Sequence, residues 1–130
     1  IGAYERGFYL KQDYYNGINL AFLLNVRADL QRVGGDKSEA VADFVVARRV
    51  RREVDRYCER ALETATDPGA RYWVIATLWE AAIGLGDRET AERWQKEAEA
   101  AATASWMLDS TRAQLDRLNQ LLAESFWATA

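Results

Sequence analysis

Tyr72–Ala98, YWVIATLWEAAIGLGDRETAERWQKEA, reads as two helices folded back on each other around a Gly86-Asp87 turn. In its first half, Trp73, Ala76, Trp79 and Ile83 form one stripe at helical spacing, and Ile75, Leu78, Ala82 and Leu85 form a second. A helix apolar over most of its circumference must be covered on two sides. Asp67-Pro68 marks its start, because the carboxylate can cap free amides and proline suits the first turn. Gly84 and Gly86 mark its stop, since glycine tolerates the left-handed backbone that ends helices. Asp87 then caps a second helix, on which Ala91, Trp94, Ala98 and Ala101 make a stripe of small residues around one large ring. A ring wedged between alanines leaves a cavity when removed, so Trp94→Ala is expected to cost roughly 3–5 kcal/mol.

The same pattern recurs upstream. An apolar helix from about Ile18 to Val33 leads into Gly35-Asp36, and Ala40, Phe44 and Ala47 follow at helical spacing. The segment Ser38 to Ala65 contains no glycine or proline, so this second helix is long. At the other end, Leu108, Thr111, Leu115, Leu118 and Leu122 form the stripe of an amphipathic helix over Trp106 to Phe126, placed to cover the open end of the core. Phe126-Trp127 is surplus to that stripe and is left to dock back, to meet another copy, or to lead into further chain.

With Leu78 before the Gly86-Asp87 turn and Ala91 and Ala98 after it, the unit resembles the tetratricopeptide repeat, in which helix A carries the leucine and helix B the two alanines. Trp79 and Ala82 depart from the consensus, with the large and small partners exchanged. Gly35-Asp36 with Ala40, Phe44 and Ala47 resembles a second turn and helix B. The opening AYERGFYLKQD, residues 3–13, resembles the tail of a helix B with Gly7 at its small position, so the chain begins inside a repeat. Taken in order, Asp13 to Asn19, Tyr72-Trp73 with Ala76-Thr77-Leu78 and Glu80-Ala81, and Trp106 with Ser110-Thr111 and Gln114-Leu115 resemble a more particular family. This is the TRAFs-binding, tetratricopeptide-like region of apoptosis signal-regulating kinases and of bacterial multidomain proteins, and the similarity runs from about residue 4 to 122. The resemblance implies a regulatory or scaffolding region rather than a catalyst. Kinase glycine-loop, catalytic-loop and metal-binding signatures are missing from the sequence.

Composition narrows the classes further. At 130 residues and about half apolar, the chain is read as one all-α domain over 1–130, of antiparallel helix-pair repeats with a C-terminal capping helix, excised from a longer protein. A net charge of −3 offers no field for polyanions, and no apolar run approaches the ~20 residues that span a bilayer. The lone Cys58 forms no internal disulfide, which fits a cytoplasmic setting, and it reads as a buried small hydrophobe rather than a redox sensor. With no histidine, the usual triads, dyads and zinc sites are lacking, so neither cofactor nor metal is expected. Gly34-Gly35-Asp36 lacks the earlier glycine of a phosphate loop and reads as a turn.

Arg48, Arg49, Arg52, Arg56 and Arg60 share one side of the long helix, opposite Val50, Val54 and Ala61. Interleaved acids, paired as Arg49 with Glu53 and Arg51 with Asp55, make this a solvated, ion-paired face rather than a nucleic-acid strip. Helix A lines the concave groove of tetratricopeptide arrays, so the resemblance puts Trp73, Ala76, Glu80 and Ile83 on a face that seats a protein or peptide partner. Glu80 would there be an exposed charge whose reversal weakens binding and leaves folding nearly unchanged. Asn19 and Asn25, polar within an apolar helix, are either buried hydrogen-bonded residues or groove contacts. Two functions follow from these readings. The first is a non-catalytic interaction and regulatory module, with self-association open. The alternative is a small-molecule sensor with a pocket among Trp73, Trp79 and Trp94.

Overall fold

The computed structural model describes residues 1–11 and 13–129, so Gln12 of the opening segment and Ala130 lie outside the described residues. Six helices follow in order: α1 (Gly2–Lys11), α2 (Tyr14–Val33), α3 (Lys37–Thr64), α4 (Pro68–Leu85), α5 (Arg88–Ala101) and α6 (Ser105–Leu122). A 3-10 turn, Ser125–Thr129, closes the chain, and the described residues contain no strand. The all-α class is therefore as expected.

Four helices start on aspartate. Asp13, Asp36, Asp67 and Asp87 accept from the amides of Asn16, Glu39, Ala70 and Thr90 at 2.8, 3.3, 2.9 and 3.1 Å. Each such cap satisfies an amide that the helix itself leaves free, and is typically worth about 1 kcal/mol. The Asp13 cap begins α2 at Tyr14, four residues before the start expected from its apolar pattern. Gly35 and Gly86 take positive φ, 88° and 73°, and reverse the chain after α2 and α4. Gly84 is not a stop. It lies inside α4, buried, where a Cβ would come within 2.1 Å of Arg51 Nε.

Each of the first four helices packs against the next, but α6 turns back to lie on α4 and α2, so that α2, α4 and α6 touch one another. A bidentate pair from Arg27 to Asp43, at 2.6 and 2.9 Å, pins α2 to α3. Phe8, Leu20, Leu24, Val50, Val54, Cys58 and Leu78 form one core, and Tyr72, Ile75, Trp79, Ala98, Met107 and Leu115 form another. Helix α4 supplies both, which is why its sequence is apolar all round. Phe126-Trp127 docks back: Trp127 stacks on Phe44 with centroids 4.9 Å apart and donates its indole N–H to the Leu121 carbonyl at 2.9 Å. Helix α6 thus ends at Leu122, short of the expected Phe126.

Trp94 packs against both main cores but is only partly buried, with Arg93 over its ring. Trp94→Ala is accordingly expected to cost about 2 kcal/mol rather than the 3–5 of a fully enclosed ring. Urea denaturation of the two proteins measures the difference. A loss of 4 or more, roughly, would mean that the ring is sealed in.

Candidate functional site

Tyr72 is wholly buried, and its hydroxyl lies 2.7 Å from Thr111 Oγ1 and 3.0 Å from the Met107 carbonyl. This bond ties α4 to α6. Beside it a groove of about 600 Å³ opens, lined by Tyr14, Tyr15, Ile18 and Asn19 of α2, by Trp73, Ala76, Thr77 and Glu80 of α4, and by α6 residues that include Thr111, Gln114 and Arg117. Trp73, Ala76 and Glu80 all line this groove. Ile83 is not with them: it lines a separate cleft of about 500 Å³ with Arg48, Arg88 and Trp127. Ile83 lies on nearly the same side of α4 as Ala76 but two turns, roughly 10 Å, further along the axis, so it is distance along the helix and not rotation that takes it out of the groove.

The groove takes Trp73 alone of the three tryptophans suggested for a pocket. Trp79, at 5% exposure, is core, and Trp94 bridges the two cores. Asn19 lines the groove and donates to the Tyr15 carbonyl at 2.8 Å, whereas Asn25 is buried elsewhere and its Oδ1 has no hydrogen-bond partner. Asn19 thus takes the groove position, while Asn25 is buried without the hydrogen bond to its oxygen that the other alternative supposed.

Glu80 corrects the expectation of an exposed charge. It is 9% exposed, its Oε2 has no hydrogen-bond partner, and burial lifts its carboxyl to about 7 against the opposing influence of Arg51 and Gln114. Arg51 is fully buried, not part of a solvated face, and its three guanidinium nitrogens have no hydrogen-bond partners. Burial lowers its pKa to about 10, with Glu80 opposing and Arg48 adding to the fall. The expected pairs of Arg51 with Asp55 and Arg49 with Glu53 do not form. Glu53 instead pairs with Arg56, and Arg60 lies over the Tyr57 ring. The sequence held the missed signal: Ala40, Phe44, Ala47, Arg51, Val54 and Cys58 are one helical stripe, and every other member is buried.

A carboxyl held above its unfolded value favours the folded state in its protonated form. The Glu80 contribution is therefore complete below about 4.5 and is lost as pH rises through about 7. Stability is expected to decline across that window in the wild type, with a shallower decline in Glu80→Gln. Denaturation curves from pH 4.5 to 8 measure both slopes. Equal slopes would mean that Glu80 is solvated.

Burial also raises the Cys58 thiol, so it is an inert core residue. Among the described residues no group of three or more His, Cys, Asp or Glu could hold a metal ion, and no helix is long and apolar enough to cross a membrane. Compared with protein-family models, with curated proteins and with solved structures, the chain matches none of them.

Proposed function

We propose that this chain is a tetratricopeptide-like, non-catalytic interaction and regulatory module of a larger multidomain protein, similar to the TRAFs-binding regions, and that it seats a peptide segment of its partner between α2, α4 and α6. The observation that carries the reading is the origin of the groove: all its lining residues come from alternate helices, the position helix A takes in such arrays. Its walls combine three aromatic rings, Ile18 and Ala76 with hydroxyl, amide and charged side chains, a mixture that gives area for contact and polar groups for register. We place the module in the cytoplasm, where its lone thiol needs no partner.

A peptide library panned against the domain tests this. Enriched peptides should lose about tenfold or more in affinity to Thr77→Arg and to Ser110→Arg, which obstruct the groove, and keep it with Arg52→Ala on exposed α3. Peptides indifferent to both groove variants, or a library that yields none, would remove the reading.

A further inference from the structure

The groove contains an acid on which one oxygen is left without a hydrogen bond. Glu80 reaches it from α4, almost wholly buried, with Oε2 unpartnered. We infer that the groove holds a subsite for a lysine side chain of the bound peptide, its ammonium on Glu80 and its methylene stem against Tyr14, Tyr15 and Trp73. This rests on the peptide reading above and names the chemistry that the groove selects.

Three observations converge on it. A buried acceptor without a partner is unfavourable, and a charged donor satisfies it with a short, strong bond. The rings of Tyr14, Tyr15 and Trp73 line the same space, and aromatic faces carry the negative potential that attracts an ammonium group while their carbon surface accepts its stem. One oxygen is unpartnered and Gln114 also acts on the carboxylate, so a compact point donor fits better than the two-pronged guanidinium of arginine.

Two positive charges lie nearby, and the contact with Glu80 must outweigh their repulsion. Arg51 is enclosed in the core and does not line the groove, so an entering cation meets Glu80 first. Arg117 lines the groove and also the neighbouring cleft, where Asp29 and Glu124 pair with Arg32.

The probe is N-acetyl-lysine methylamide, titrated into the intact domain and followed by the NMR signals of the Trp73 indole and the Tyr14 and Tyr15 rings. N-acetyl-norleucine methylamide, of similar shape without the charge, and the glutamate analogue serve as comparisons. The lysine probe should bind about tenfold or more tightly than norleucine, and Glu80→Gln should abolish that preference. Should Glu80→Gln fail to fold, the preference in the wild type decides alone. Equal response to lysine and norleucine, or preference for glutamate, overturns the inference. Library peptides that bind in the groove while the lysine probe stays silent would overturn this subsite and leave the peptide reading standing. A lysine response without any peptide binder would keep the subsite and remove the peptide reading.

Discussion

Glu80→Arg is expected to destabilise the domain by about 3–5 kcal/mol, a large share of the roughly 5–15 kcal/mol that keeps a typical domain folded. The wild-type carboxylate is the charge that favours the cationic form of Arg51, which is fully enclosed and has no hydrogen-bond partner on any guanidinium nitrogen. Reversal removes that compensation and adds a second cation to the same interior. Arginine also needs more room than glutamate in a position only 9% exposed. Chemical denaturation, with the near-ultraviolet signal of the tryptophans as the probe, measures the loss. A variant that melts within roughly 1 kcal/mol of the wild type would show that Glu80 is served by solvent.

Gly84→Ala is expected to cost roughly 3 kcal/mol net, against the usual sign for this substitution within a helix. Alanine is favoured over glycine in a helix interior by about 1 kcal/mol. Here the added methyl would lie 2.1 Å from Arg51 Nε and 2.3 Å from its Cδ, far inside contact distance. The guanidinium cannot swing aside into water, since the side chain has no exposure. It must instead move relative to Glu80, so the overlap becomes an electrostatic loss as well as a steric one. Combining Gly84→Ala with Arg51→Met should recover about 1 kcal/mol or more relative to the sum of the single changes, which a double-mutant cycle reads directly. Strict additivity would mean that the methyl is accommodated elsewhere.

Arg51, Glu80 and Gly84 together explain why the site was only partly legible. Glu80 and Gly84 are one turn apart on α4, and Arg51 occupies a core position of α3. Each breaks a local expectation: an arginine in an apolar stripe, an acid on an apolar helix, a glycine before the helix end. Read singly, they became a solvated pair, an exposed groove charge and a helix stop. Their meaning lies in the contact between α3 and α4, which no spacing within either helix expresses. Such departures from local rules gather where a fold carries charge into its interior.

What the sequence by itself determined is the set of local elements. Periodicity located the helices, aspartates and positive-φ glycines set several of their ends, and the double stripe of α4 required cover on two sides. These are properties of neighbouring residues, and backbone hydrogen bonding with capping settles them within a few turns. Tertiary structure alone decided that α6 lies on α4 and α2 instead of continuing along α5, that Trp127 stacks on Phe44, and that Trp73 and Glu80 share a groove while Ile83 leaves it. The reason is physical: an apolar or polar face specifies that it must be covered or solvated, but not by what. The choice among possible covers rests on volume, charge and chain reach summed over helices distant in sequence.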